Sequence, residues 1–214
     1  MTDREKLQTA RGAAIECYAK LESALSLILT ALLDINTAKG SAVFFNLLNV
    51  RARNAVLESL ITLTHGNLYN AYWNGTPGSS GCKRAPGLFT LIRQLDEERN
   101  RIVHWHTVRH ESRNADGTQH ISYKLIKPDY WLPVESAFNA AIQVNELKAF
   151  MQKANFVTLS IYKFWLFTSD QLPLDEKQAW NQIFQQSILY PPPSTHPLFQ
   201  NYIESESPPQ SSPE

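Results

Sequence analysis

Cysteine is nearly missing from this sequence: Cys17 and Cys82 are the only two in 214 residues. Cys17 falls within an apolar helical pattern and Cys82 within a Gly/Ser/Pro-rich stretch. The pair therefore reads as reduced thiols in a reducing compartment and excludes a disulfide framework. Excess charge of either sign is also missing, since Lys plus Arg and Asp plus Glu are 20 each. That balance excludes a globally basic nucleic-acid binder, so any RNA contact needs a local cluster. Long hydrophobic runs are lacking too. The greasiest stretches, Leu21–Leu33 and Phe156–Phe167, carry Glu22 and Lys163 and fall short of a membrane span. Met1 to Lys6 is charged and leads into an amphipathic helix rather than a signal peptide. The expectation is a soluble cytoplasmic protein with no membrane partner. There is no Gly-rich phosphate loop and no pair of metal-binding carboxylates, which argues against a phosphoryl or nucleotidyl transferase. His104, His106, His110 and His120 cluster in sequence, but no cysteine or carboxylate group completes a ligand set. No metal and no cofactor are expected.

What is present is core-forming: 43% of residues are hydrophobic and 19% charged. Leu7, Ala10, Ala14, Leu21, Leu25, Ile28 and Leu32 recur at spacings of three and four, predicting a first helix over Asp3–Asp34. Residues Asn36 to Gly40 break it, and a second helix is predicted over Ser41–His65 with Gly66 as its stop. The Gly/Pro-rich stretch 67–87 reads as a long surface loop. A third helix is expected from Pro86 to Trp105. Alternation over Val108–Arg113 and Gln119–Ile126, around Asn114-Ala115-Asp116-Gly117, predicts a β-hairpin within an insertion 107–127. A fourth helix is predicted over Glu135–Ser169, and a short one over Leu174–Ser187. The expected organisation is one domain, 1–189, followed by a Pro/Ser/Glu-rich tail, 190–214, extended or disordered. The fold class is mainly α: an up-down four-helix bundle with a β-hairpin inserted after the third helix.

The third helix carries an unusual charge. At 100° per residue, Leu88, Leu91, Ile92, Leu95, Ile102 and His106 share one stripe, and Arg99 falls inside it. Burying an unpaired charge is costly, so Arg99 demands a partner or a wet cleft. It lies in Asp96-Glu97-Glu98-Arg99-Asn100-Arg101-Ile102-Val103-His104-Trp105. This segment resembles the signature of the HEPN superfamily (higher eukaryotes and prokaryotes nucleotide-binding domains). There an Arg, often followed by Asn or another polar residue, precedes a His by four to six intervening residues. Arg99, Asn100 and His104 match that pattern, with Ile102-Val103 before the His, late in a long helix. Arg101/His106, Arg99/His106 and Arg113/His120 match the spacing without that context.

The resemblance implies a HEPN-like bundle that forms a homodimer with its site at the twofold interface. It also implies metal-independent RNA cleavage of the kind used in toxin–antitoxin and antiviral-defence systems, with RNA and a cognate antitoxin protein as partners. RNA supplies its own nucleophile, the 2′-hydroxyl. His104 would move the proton, Arg99 would hold the phosphate, and Asn100 would orient the phosphate or the imidazole. On an ideal helix His104 lies about 140° round from Arg99, so the two converge only if the helix loosens near His104 or if two chains meet.

The same residues also fit a solvated helix end, with Glu97, Glu98 and Arg101 in surface pairs. On that reading the chain is a non-catalytic dimeric bundle binding a partner protein or nucleotide, which suits the neutral charge, the apolar last helix and the Pro-rich tail. Arg51, Arg53 and Asn54 on the second helix, and Arg101 with Trp105, are candidates for an RNA path. Tyr72-Trp73 suit either base stacking or core packing. Phe156, Phe164, Trp165 and Phe167 read as core or dimer seam.

Overall fold

The computed structural model describes residues 1–47, 49–77, 85–113, 117–128 and 140–204. The described chain is mainly helical with one antiparallel two-stranded hairpin. Its order is α1 (Asp3–Leu32), α2 (Thr37–Asn46), α3 (Val50–His65), α4 (Asn70–Asn74), α5 (Leu88–His104), β1 (His106–Arg113), β2 (Gln119–Ile126), α6 (Val144–Thr168), α7 (Leu174–Phe184) and α8 (Phe199–Glu204). No single helix among the described residues is long and apolar enough to cross a membrane. The chain divides into two compact units, Met1–Ala19 with Leu95–Met151 and Lys20–Gln94 with Gln152–Glu214.

In the first unit, α1 and α5 run in opposite directions. Moving back along α1, the Tyr18 hydroxyl donates to Asp96 at 3.0 Å, Arg11 to the Val103 carbonyl at 2.7 Å, and Gln8 to the Thr107 hydroxyl at 2.6 Å. Leu7, Ala10, Ala14 and Tyr18, three or four apart, form the buried face of this part of α1. The hairpin pairs eight residues on each strand, from His106 opposite Ile126 to Arg113 opposite Gln119. Gly117, at φ 84°, takes a backbone conformation that other residues avoid. Leu125 is fully buried and exchanges backbone hydrogen bonds with Ile142 at 2.9 and 3.0 Å, while Val108 packs on Ile126 and Ala141. Short-range alternation makes the strands; these contacts give them something to rest on.

In the second unit, α2 lies tight on the end of α1. A Cβ on Gly40 would fall 1.9 Å from the Thr30 hydroxyl, so only glycine fits. The core is aromatic: Tyr69, Tyr72, Trp73, Phe164 and Phe184 are buried and meet largely edge to face at 5.1–6.4 Å. Such pairs add about 0.5–1.5 kcal/mol each beyond area burial. At its margin Lys163 pairs with Glu176 at 2.6 Å, which holds the Glu176 carboxyl below its ordinary value.

Several boundaries differ from the sequence expectation. The second predicted helix is two helices. Leu47 turns extended at ψ 105°, and the Asn49 side chain accepts from Ala52 N–H at 2.7 Å to start α3 anew. Gly40 lies inside α2 rather than ending α1, because its lack of a side chain serves packing. Gly66, at φ 60°, does end α3, its N–H reaching Thr62. The stretch 67–87 contains α4, and Gly75 and Gly87 cross so closely that a Cβ on Gly87 would meet Gly75 N at 2.2 Å. The last long helix starts at Val144, not Glu135; residues 129–139 lie outside the described ones, as do 78–84 with Cys82, 114–116 and 205–214. The segment 190–204, expected extended or disordered, is packed instead: Leu198 is buried, and the His196 ring sits between Phe156 and Trp180.

Candidate active site on the fifth helix

The motif residues lie in the C-terminal half of α5. Arg99 is half-buried, as its place on the apolar stripe requires. Its guanidinium lies 5.5 Å from the centre of the Tyr18 ring, and Nη1 donates to the Asn100 side-chain oxygen at 3.0 Å. Among the described residues no carboxylate forms an ion pair with it. Its Nε is buried and has no acceptor. An unsatisfied buried donor costs about 1–3 kcal/mol, more when charged. Such a group is ordinarily satisfied by a bound water, ion or ligand.

Asn100 and His104 are exposed. The helix does not loosen between Arg99 and His104: α5 runs through His104, and Trp105 N–H still reaches the Arg101 carbonyl at 3.0 Å. Five regular positions separate the two side chains by about 140° and about 7.5 Å of rise. Within one chain they point to different sides. The structure thus brings Asn100 to Arg99 and leaves His104 apart from both.

The flanking candidates behave differently from one another. Arg101 is exposed, with its guanidinium 5.8 Å from the half-buried Trp105 ring. Arg51 is exposed on α3. Arg53 is committed to packing: it pairs with Glu22, donates to the Leu47 carbonyl at 2.8 Å and lies over Phe44 at 4.8 Å. Tyr72 and Trp73 are 0% and 1% exposed, so of the two readings core packing holds for both. Phe156 and Phe164 are likewise buried, with Trp165 and Phe167 half-buried. Among the described residues no group of three or more His, Cys, Asp or Glu could hold a metal ion.

Sequence reasoning missed Tyr18, Asp96 and Arg11. Tyr18 continues the α1 stripe four residues after Ala14, and its ring and hydroxyl link Arg99 to Asp96. The stripe was readable; a polar contact across 78 residues was not. Comparison with protein-family models, curated proteins and solved structures finds no match to this chain.

Proposed function

We propose that this chain is a metal-independent endoribonuclease of toxin or antiviral-defence type, a HEPN-like helical protein acting as a cytoplasmic homodimer. Arg99 of one copy and His104 of the other serve one phosphodiester. The observation that supports this is the Arg99 guanidinium, half-buried and in an ion pair with no carboxylate among the described residues. A phosphate oxygen meeting the guanidinium's Nη edge supplies the negative charge that no described carboxylate provides. The regular helix through His104 favours assembly from two chains over convergence within one.

In the reaction His104 accepts the proton of the ribose 2′-hydroxyl as that oxygen bonds to phosphorus. The bond from phosphorus to the 5′-oxygen breaks, the leaving oxygen takes a proton from water, and the His104 imidazolium returns its proton to the solvent. The products are a 2′,3′-cyclic phosphate and a free 5′-hydroxyl. Arg99 stabilises the charge that builds on the non-bridging oxygens. The Asn100 side-chain oxygen accepts from Nη1 and fixes the orientation of the guanidinium. The internal nucleophile is what makes the chemistry specific to RNA.

The test is cleavage of RNA in EDTA by wild type, Arg99→Ala and His104→Ala, with cyclic-phosphate ends sought in the product. Wild-type cleavage lost in both variants is expected; equal activity in all three, or none in any, removes the reading. A second reading, a non-catalytic dimer binding a partner protein or nucleotide, draws on Tyr18 and Asn100, which account for the placement of Arg99 without a substrate.

A further inference from the structure

Arg11 stands outside the motif, yet α1 delivers its guanidinium to the same end of α5. The side chain is half-buried, and Nη2 donates to the carbonyl of Val103, the residue before His104. A cation on the last carbonyls of a helix is favourable in itself, but this bond uses one of the five N–H donors that a guanidinium carries. Among the described residues no carboxylate pairs with Arg11. Val103 is one turn, about 6 Å, along α5 from Arg99.

One helix seam thus holds two half-buried guanidinium groups, neither in an ion pair with a carboxylate among the described residues. Desolvating each without a counter-ion is unfavourable. A ligand with successive negative charges relieves both. From Asp96 to Lys127 lie six Lys or Arg against five Asp or Glu, net +1, together with four of the six histidines.

We propose that Arg11 binds the phosphate next to the scissile one, so that the site takes a continuous single RNA strand across consecutive phosphates. The assignment of the scissile phosphate to Arg99 rests on the nuclease reading; the presence of a phosphate contact at Arg11 does not. The strand enters along the α1/α5 seam, with Arg99 and Arg11 reading its backbone and neither reading its bases.

The experiment uses the full chain and a fluorescein-labelled 2′-O-methyl RNA dodecamer, which lacks the nucleophile and stays intact. Binding is followed by anisotropy over a salt series for wild type, R11Q and R11K. R11Q is expected to bind about tenfold more weakly at low salt, as the loss of one charge-assisted contact implies. The slope of log affinity against log salt should fall by about 0.7, the contribution of one single-strand phosphate. R11K should keep the wild-type slope, because the charge remains. A role confined to capping α5 would leave the R11Q slope where it was, and that result overturns the proposal. A fold defect in R11Q does not remove the test. Phenylglyoxal modification of the wild-type chain, mapped by mass spectrometry, should show Arg11 protected by the dodecamer and the exposed Arg93 unprotected. Equal modification of Arg11 with and without RNA overturns the proposal as well. RNA cleavage with an unchanged R11Q slope sinks Arg11 alone. A lowered slope without cleavage of an all-ribose strand sinks the nuclease reading and leaves Arg11 an RNA contact.

Discussion

If Arg99 and His104 act only across a pair of chains, two inactive variants should repair each other. Arg99→Ala keeps His104, and His104→Ala keeps Arg99. α5 holds the two positions about 140° apart with no break between them, so neither variant can rebuild the pair by itself. Mixed in equal amounts with free exchange, about half of the resulting twofold dimers contain one chain of each kind. Every mixed dimer carries one intact composite site and one doubly altered site, so the mixture should recover about a quarter of wild-type activity. Loss of a general acid–base normally lowers the rate by about 10²–10⁴, which puts a quarter far above the background of either variant. The assay is fluorogenic RNA cleavage in EDTA after co-refolding, with dimer content checked by light scattering. A mixture no more active than its components, from variants that do dimerise, refutes assembly in trans. The motif would then have no catalytic geometry, since one chain does not bring the side chains together.

Tyr18→Phe removes the bond to Asp96 but keeps the ring beside Arg99, and should lower stability by about 0.5–1.5 kcal/mol with modest effect on cleavage. Tyr18→Leu also loses the ring contact, about 0.5–2 kcal/mol more, and should depress cleavage further by releasing Arg99; equal rates for the two variants would count against a positioning role. Gly40→Ala should destabilise by about 1–3 kcal/mol in urea titration, because its Cβ meets Thr30. Gly12→Ala, with nothing within 4 Å, should instead stabilise α1 by about 0.5–1 kcal/mol; matching signs would show that Gly40 is not constrained by that contact. Burial holds His65 and His196 below the ordinary imidazole value. The unfolded chain therefore takes up protons first, and stability should fall as pH drops through about 6.5 toward the depressed values. The urea midpoint of His65→Gln/His196→Gln should fall less over that range than that of wild type.

The legible features were the local ones. Alternation around Asp116-Gly117 located the hairpin to within two residues, and the apolar spacing of α5 placed Arg99 in the seam where it lies. What escaped depends on partners distant in sequence. Gly40 read as a breaker because glycine serves both turns and close packing, and only Thr30 distinguishes the two. Proline and serine after Tyr190 suggested a solvated tail, but Leu198 and His196 find an aromatic wall prepared by Phe156 and Trp180. Arg53 looked like an exposed basic residue until Glu22, 31 positions earlier, claimed it. For the candidate site, spacing named Arg99, Asn100 and His104, while Tyr18 and Arg11 come from a helix that shares no pattern with the motif.

The unbroken ladder of the hairpin sets a rule for tolerance to length change. Its eight rungs contain no bulge, so side chains alternate strictly between two sides, His106, His110, His120 and Lys124 on one and Arg109, Arg113 and Tyr123 on the other. One residue added within either strand would exchange these sets beyond the insertion and unseat Leu125 from Ile142. The same residue added at Gly117 or Thr118, outside the ladder, would leave these sets in place. Natural or engineered variation in this protein should therefore accumulate at the hairpin tip, which makes the tip the place to attach a reporter.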